Sequence, residues 1–353
     1  MAFSLAIVVL GLACTPTHSQ STFDAAGPVA EKQLNLFLII FWAAVVVFVT
    51  VEGALVYTAI KYRRRTANGV PKQIHGSSKL EIAWTIAPAL ILVVIAIPTI
   101  STIYQTAGSP TQGPVLQVNV TAHQWWWEFE YPGLGVVTAN ELHVPPEPWA
   151  VEATLASQDV IHSFWVPKLA GKVDMIPNHA NKIWFSAKEP GTYYGQCAEF
   201  CGVAHAQMRF RVIVEPTQAA FDEWVAAQKV SSAPVVDGLA KQGQLVFGIK
   251  GCGICHTVSG PDPQGLQQTR MDAFLSGAPM FPAPNLTHFA SRFTLAGGLL
   301  DNTQANLSEW LRSPEDVKAG NRMSQFAGPY KDPDLALSDE EIAALVAYLE
   351  SLK

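Results

Sequence analysis

The stretch CAEFCGVAHAQM, residues 197–208, holds the densest set of metal-binding side chains in this sequence. Two cysteines, a histidine and a methionine offer thiolate, imidazole and thioether donors, which are soft and favour copper over oxygen-preferring cations. Zinc is the alternative, but structural zinc sites use Cys and His, so zinc would leave Met208 without a role. We expect a further imidazole from His162, which lies far from this stretch in the sequence.

The sequence around this stretch predicts a β scaffold. Between residues 110 and 215, short runs rich in Val, Thr and aromatic residues are separated by Pro and Gly, which is typical of an all-β sandwich or barrel. A rigid scaffold of this kind holds metal ligands in one geometry before and after a redox change.

A second motif, CGICH at residues 252–256, has the form of an attachment site for c-type heme. In such sites two cysteines bind the heme covalently and the adjacent histidine binds the iron. A redox dithiol is the alternative, but it leaves His256 without a role and lacks a βαβ context. The chain from residue 238 onward is helical in pattern and ends in a helix with Ser338 as its expected N-cap, which favours heme.

Two apolar stretches precede the β region. Residues 34–60 and 82–104 are each long enough to cross a bilayer as a helix. The basic loop between them is expected to face the cytoplasm, which leaves both ends of the chain outside. An apolar run at residues 3–13 predicts a signal peptide, and Cys14 after it resembles the lipid-bearing cysteine of bacterial lipoproteins. An uncleaved apolar N-terminus is the alternative.

The composition narrows the classes of function. The chain has 353 residues, of which 49% are hydrophobic and 15% charged, and its net charge is -6. The apolar share fits a membrane protein with folded domains, and the acidic balance excludes nucleic-acid binding. A disulfide framework is the alternative for the two cysteine pairs, but each pair is followed by a histidine, which favours metal chemistry.

Taken together, these motifs resemble cytochrome c oxidase subunit II. The resemblance implies a binuclear copper A centre, in which two cysteines bridge the coppers, two histidines and a methionine are terminal ligands, and a backbone carbonyl completes the set. The corresponding positions are Cys197 and Cys201, His162 and His205, Met208, and the carbonyl of Glu199. The carboxylate of Glu199 resembles the family's magnesium ligand at the interface with subunit I.

Other positions extend the resemblance. In HQWWWE, residues 123–128, Trp125 takes the position of the family's electron-entry tryptophan, whereas the two tryptophans after it are equally well explained as ordinary core or interface aromatics. Asp159 resembles a carboxylate that docks cytochrome c. Glu81, at the start of the second apolar stretch, resembles a residue at a proton-uptake entrance. Asn178 stands where the family has Gly, and its tolerance of left-handed backbone should preserve the turn.

The last third of the chain resembles the fused cytochrome c domains of caa-type oxidases. Residues 318–323 resemble their distal loop, which makes Met323 the expected sixth ligand of the heme iron. Met280 is the alternative, because Ser324 stands where the family usually has Pro. Met271 is the other methionine available after the heme motif.

We therefore predict a multidomain fold: a two-helix transmembrane hairpin, a cupredoxin-like all-β copper domain and an all-α cytochrome c domain. The predicted bounds are a signal peptide at 1–13, an N-terminal segment with the hairpin at 14–109, the copper A domain at 110–228, a linker at 229–237 and the cytochrome c domain at 238–353.

The resemblance implies the electron-entry subunit of a bacterial respiratory oxidase. Electrons would pass from heme c to copper A and on to heme a of subunit I, where oxygen is reduced to water. The implied partners are subunit I, subunit III, the plasma membrane, and cytochrome c or a cytochrome bc complex as donor, with the copper and heme domains on the periplasmic face. The copper ligands exclude a quinol oxidase subunit. The copper A subunit of a nitric-oxide reductase and a membrane-anchored electron carrier stay as alternatives.

Overall fold

The computed structural model describes residues 18–63, 73, 76–110, 113–231, 235, 238–258 and 283–353. The expected signal peptide, Cys14 and the methionines Met271 and Met280 lie outside these residues. The chain divides into two compact units. One is formed by Glu31–Gly108, and the other by the residues up to Ala30 and from Ser109 onward.

Two long helices make up the first unit. Helix α1 spans Pro28–Lys61 and α2 spans Ser78–Ala107. The mean hydropathies of their most apolar windows are 2.7 and 2.4, and no side chain in either window is buried. Both helices are therefore long and apolar enough to cross a bilayer. Pro88 and Pro98 lie inside α2, where a membrane helix tolerates them.

Two five-stranded sheets form the core of the second unit. The first has the strand order β3-β2-β1-β5-β8, and the second has the order β4-β10-β9-β6-β7. The strands are β1 Val115–His123, β2 Trp126–Tyr131, β3 Val136–Ala139, β4 Glu141–Val144, β5 Ala150–Ser157, β6 His162–Trp165, β7 Val173–Met175, β8 Asn181–Phe185, β9 Gly191–Cys197 and β10 Arg209–Val214.

Along strands such as β1, buried side chains alternate with more exposed ones, and the buried ones form part of the core. In β1, the side chains of Leu116, Val118, Val120 and Ala122 are buried, because successive side chains of a strand point to opposite faces. Aromatic rings from both sheets meet in this core. The closest contacts are made by Phe210, whose ring centroid lies 4.7 Å from that of Phe164 and 4.9 Å from that of Trp127.

Helices dominate the rest of the second unit. They are α3 Gln218–Gln228, α4 Gly238–Ile249, α5 Gln304–Arg312, α6 Pro314–Val317, α7 Arg322–Phe326 and α8 Asp339–Ser351. A short ribbon, β11 Thr294–Leu295 with β12 Leu300–Asp301, precedes α5. Ser338 caps α8 as predicted, and the Glu341 carboxylate accepts the Ser338 N–H in return at 2.9 Å, which satisfies two otherwise unpaired N–H groups.

The predicted fold class is confirmed. Two apolar helices, a cupredoxin-like pair of β-sheets and a helical C-terminal region follow one another along the chain. Asn178 adopts a φ of 62°, so the predicted left-handed turn is also present. The domain bounds given above stay predictions.

Candidate functional site

Two cysteines and a histidine form a buried cluster in the second sheet. The ligand atoms of His162, Cys197 and Cys201 all lie within 4.8 Å of one another. The Sγ of Cys197 is 3.7 Å from the Sγ of Cys201 and 3.8 Å from Nδ1 of His162. Within the described part of the chain, this is the one cluster of His, Cys and carboxylate side chains close enough to share a metal ion.

Three further predicted ligands surround the two sulfur atoms. Nδ1 of His205 lies 3.5 Å, and Sδ of Met208 3.9 Å, from the Sγ of Cys201. The carbonyl oxygen of Glu199 lies 3.2 Å from the Sγ of Cys197. The structure thus brings together all six donors that the sequence singled out, and the set is soft enough to fit copper.

The strand pairing explains why these side chains meet. Strand β9 ends at Cys197 and β10 begins just after Met208, so the segment between them closes an antiparallel pair. The N–H of Cys197 donates to the carbonyl of Met208 at 3.0 Å, which ties the two ends of the segment together. Strand β6 begins at His162 and pairs with β9, with Phe164 opposite Cys197. This pairing brings the distant imidazole to the same end of the sheet.

The two thiols cannot ionise independently, because they are close and buried. A hydrogen bond from Cys201 lowers the pKa of Cys197 well below its ordinary value. The same hydrogen bond, together with burial, raises the pKa of Cys201 well above its ordinary value. The pair therefore holds one proton on its own, whereas a bound cation would stabilise both thiolates and release that proton. This electrostatic behaviour also fits a metal centre.

Asp159 holds the imidazole of His162 from behind. Its Oδ1 lies 2.8 Å from Nε2 of His162, and it also accepts the backbone N–H groups of Val160 and Gln124, each at 2.7 Å. Although burial acts in the opposite direction, these hydrogen bonds lower the pKa of Asp159. A carboxylate on the far nitrogen fixes the tautomer and leaves Nδ1 as the ligand atom. Sequence reasoning assigned Asp159 to partner docking and missed this contact, although its place three residues before His162 was an available signal.

Trp125 lies directly against the cluster. Its indole Nε1–H donates to the carbonyl of Cys201 at 3.0 Å, and the side-chain amide of Gln124 donates to the same oxygen at 2.7 Å. Only 7% of Trp125 is exposed. Its two neighbours differ, since Trp127 packs in the β core and Trp126 stacks on His123 with ring centroids 4.3 Å apart.

Two predicted carboxylates lie at exposed positions. The side chain of Glu199 is 43% exposed, and its Oε2 lies 3.4 Å from Nζ of Lys172. A magnesium ion bound to this carboxylate would therefore replace Lys172 as its partner. Glu81 lies in the first turn of α2, where its N–H donates to the carbonyl of Ser77 at 3.0 Å. The roles predicted for both carboxylates stay predictions.

The heme motif forms a short turn after α4. Cys252–Ile254 is a 3-10 turn, and His256 follows with Nδ1 2.8 Å from the carbonyl oxygen of Pro284. Donation at Nδ1 leaves the lone pair at Nε2, and burial lowers the pKa of His256, which keeps the imidazole in the neutral form that binds metals. Ile249 and Ile254 are 75% and 72% exposed beside the motif. An apolar ring system would cover them, so the site fits heme.

Met323, the expected sixth ligand, lies in α7 and is partly buried. The alternative, Met280, lies outside the described residues. The choice between the two methionines therefore stays a prediction.

Three family models match the chain. The transmembrane domain of cytochrome c oxidase subunit II matches residues 16–102, its periplasmic domain matches residues 137–216, and cytochrome c matches residues 240–353. The six clustered donors lie within the second range, and the CGICH motif lies within the third.

Curated relatives match almost the whole chain. Cytochrome c oxidase subunit 2 of Bacillus sp. (strain PS3) is 39% identical over 348 residues, which cover 94% of this chain and 91% of the relative. The protein of the same name from Alkalihalophilus pseudofirmus is 34% identical and covers 96% of this chain and 93% of its own length. The one from Bacillus subtilis is 35% identical and covers 99% and 96%.

Proposed function

The chain belongs to the cytochrome c oxidase subunit II family, and we propose that six of its residues hold the copper A centre through which it hands electrons to subunit I. It is the electron-entry subunit of a heme-copper terminal oxidase and thus part of an oxidoreductase. It is anchored in the membrane, and oxygen reduction takes place on subunit I.

The observation that carries the copper proposal is the gathering of two imidazoles, a thioether and a carbonyl oxygen around two thiols whose sulfur atoms lie 3.7 Å apart. The residues that would hold copper are Cys197 and Cys201, surrounded by His162, His205, Met208 and the carbonyl of Glu199. When bound, two coppers that share two thiolates supply a one-electron relay. The β-sheets hold the ligands in place in both redox states, which keeps the cost of reorganisation low.

For the heme, we propose covalent attachment through Cys252 and Cys255, with His256 as one axial ligand of the iron and Met323 as the other. The contact of His256 with Pro284 supports the first axial assignment, because it orients the ring and leaves Nε2 for the metal. The chain then carries a donor and an acceptor of electrons in one polypeptide.

Membership of the subunit II family also implies a membrane orientation and further partners. We propose that the basic loop between α1 and α2 faces the cytoplasm, that the copper and heme domains lie on the periplasmic side, and that Cys14 carries a lipid. Subunit III, an external donor such as cytochrome c or a cytochrome bc complex, magnesium at Glu199 and a proton entrance at Glu81 belong to the same proposal. A nitric-oxide reductase subunit and a free electron carrier are not favoured, because the relatives that match the chain from end to end are named cytochrome c oxidase subunit 2.

Purification of the native complex by an affinity tag on this chain tests the function. We expect it to bring down a large multi-helix subunit, to show the optical bands of heme c and of a second heme, to give a mixed-valence copper signal, and to consume oxygen. Isolation of the chain alone would favour a carrier. A complex that reduces nitric oxide but not oxygen would favour the nitric-oxide reductase.

A further inference from the structure

The helical C-terminal region contacts the copper-binding β domain through buried polar side chains. Lys318, which precedes α7, is only 3% exposed. Its Nζ donates to the backbone carbonyl of Trp125 at 2.8 Å and to that of Ala296 at 3.0 Å. Arg322 donates to the side-chain carbonyl of Gln124, and its guanidinium carbon lies 5.8 Å from the ring centroid of Trp125.

In a second buried contact, the side chain comes from the β domain and binds the backbone of the C-terminal region. Glu141, at the start of β4, is 1% exposed. Its carboxylate accepts the N–H of Phe293 at 3.1 Å, and both the N–H and the hydroxyl of Thr294 at 2.7 Å. A carboxylate that accepts several N–H groups forms charge-assisted hydrogen bonds, which are stronger than neutral ones.

The backbones of the two regions also contact each other directly beside the cluster of candidate metal ligands. The N–H of Arg209, the residue after Met208, donates to the carbonyl of Gly297 at 3.1 Å. A Cβ at Gly297 would lie 2.9 Å from the carbonyl oxygen of Trp125, and a Cβ at Gly298 would lie 2.8 Å from that of Arg209. Both glycines have positive φ, so the approach is too close for a side chain at either position.

The contacts of Lys318 and Arg322 converge on one short segment. Gln124 and Trp125 are held by Lys318 and Arg322 on one side, and on the other side both donate to the carbonyl of Cys201. Only Gln124 and Trp125 therefore lie between the helical region and Cys201, one of the two cysteines of the proposed copper centre. Two peptide carbonyls fix the Lys318 amine. Burial lowers the pKa of Lys318 to about 7, and in either protonation state the amine keeps two N–H donors for these oxygens.

We propose that Lys318 and Glu141 lock the cytochrome region onto the copper-binding β domain, with Lys318 at the Gln124–Trp125 segment, so that Trp125 receives electrons from the chain's own heme region and is closed to a diffusing protein donor. The proposal rests on the proposed function, because it needs heme in one region and copper in the other. The step moves one electron from the heme iron, which is oxidised, to the copper centre, which is reduced, and no bond forms or breaks. An external donor then meets the heme and not the copper. Lys318 is a positioning residue in this scheme.

The test uses the complete oxidase with Lys318→Met, which removes both hydrogen bonds and nearly conserves side-chain length. Loss of these hydrogen bonds leaves two buried carbonyl oxygens without this donor, which should weaken the docked state about tenfold or more. We expect hydrogen exchange at the backbone N–H groups of Phe293, Thr294 and Arg209 to accelerate by that factor. After the heme is reduced by a light pulse, the share of copper that is reduced in the fast first-order phase should fall. The static spectra of heme and copper should not change.

Two further variants make the test specific. Lys331→Met removes an exposed lysine of the same region and should change neither readout. Glu141→Gln attacks the interface from the copper side and should reproduce the effect of Lys318→Met, so it carries the test if Lys318→Met does not mature.

The possible outcomes distinguish the interface lock from the internal electron route of the proposed function. Unchanged exchange at the three N–H groups in both interface variants would overturn the lock. Faster exchange with unaltered copper reduction would show that the interface is not the electron route, and would leave the proposed function intact. Failure of heme to reduce copper within the unaltered oxidase would refute the internal route in the proposed function itself.

Discussion

Cys197 and Cys201 place two sulfur atoms 3.7 Å apart in a buried site, and this spacing governs their chemistry. Without a cation, one thiolate suppresses the ionisation of the other, which is why the pKa of Cys197 falls while that of Cys201 rises. A bound cation would stabilise both thiolates, so that both cysteines could ionise. The two side chains are therefore suited to metal binding and poorly suited to act as separate nucleophiles.

Replacement of either cysteine should abolish the copper centre. In Cys197→Ser or Cys201→Ser, a hydroxyl oxygen replaces a soft bridging thiolate and cannot hold two coppers in the same way. Electron paramagnetic resonance of the purified oxidase should show no mixed-valence copper signal. Cys252→Ser, which removes a thiol from the heme motif, is the matched control and should retain that signal. A mixed-valence signal in Cys197→Ser or Cys201→Ser would contradict the ligand assignment.

Asp159 should tune the copper centre without binding it. Asp159→Asn weakens the hydrogen bond to Nε2 of His162, and loss of such support typically costs about 10–100-fold in metal affinity. Titration with a copper chelator measures the effect, and a shifted reduction potential should accompany it. Asp222→Asn, at an exposed position on α3, is the control. Equal copper retention in both variants would remove Asp159 from this role.

Met323 should control the spin state of the heme but not its attachment. In Met323→Leu the thioether ligand is lost, while the bonds through Cys252 and Cys255 remain. The optical spectrum should then show covalently bound heme with a changed spin state and potential. An unchanged low-spin spectrum would transfer the axial role to Met280.

At the scale of elements, the crossing of α4 and α8 determines whether the cytochrome region folds. Gly243 of α4 faces the backbone of α8, and a Cβ there would lie 1.9 Å from the carbonyl oxygen of Ala344. Phe247, one turn further along α4, packs edge-on against Tyr348 with ring centroids 5.6 Å apart. The missing side chain is thus what allows the two helices to approach.

Gly243→Ala should push these helices apart. Because the obstacle is backbone, which cannot move aside like a flexible side chain, we expect a loss of about 3 kcal/mol or more in the free energy of unfolding. Unfolding of the oxidase followed at the heme band measures it. Gly248→Ala in the same helix has open space around the new Cβ and should be neutral or stabilise by up to about 1 kcal/mol. Similar behaviour of the two variants would contradict the packing argument.

Elements differ in how far the sequence predicts them. The capping box at Ser338 and the long apolar helices follow local rules, so pattern and composition suffice. The helices nevertheless continue to Pro28 and Ser78, beyond the apolar stretches, because helix propensity does not end where hydrophobicity does. The turn at Asn178 follows from the resemblance to the family, which has Gly at this position, together with the tolerance of Asn for left-handed backbone.

At the scale of the whole molecule, the candidate copper donors were accessible from the sequence and the contacts between regions were not. Four donor side chains, those of Cys197, Cys201, His205 and Met208, fall within residues 197–208, so their types and spacing indicate copper. The carbonyl of Glu199 was implied by the family resemblance. Lys318 and Trp125 are separated by 193 residues, and Thr294 and Glu141 by 153. No local sequence pattern predicts such contacts, because Lys318 and Glu141 each look like an ordinary surface residue in the sequence.

The joining of the two redox regions in one chain changes the kinetics of electron entry. A short flexible linker alone would hold the heme region at an effective concentration on the order of millimolar near the copper domain. The buried contacts of Lys318 and Glu141 go further, because they specify one orientation. Electrostatic steering then matters little for the internal step, in contrast to an encounter between separate proteins.

The rate of internal electron transfer distinguishes a relay within one chain from electron transfer between molecules. In the unaltered oxidase, the heme is reduced by a light pulse, and copper reduction is followed by its absorbance over a series of protein dilutions and salt concentrations. We expect a first-order rate that does not depend on protein concentration and hardly depends on salt. A rate that rises in proportion to protein concentration would mean that electrons pass between molecules, and would contradict the assignment of this chain as a self-contained relay.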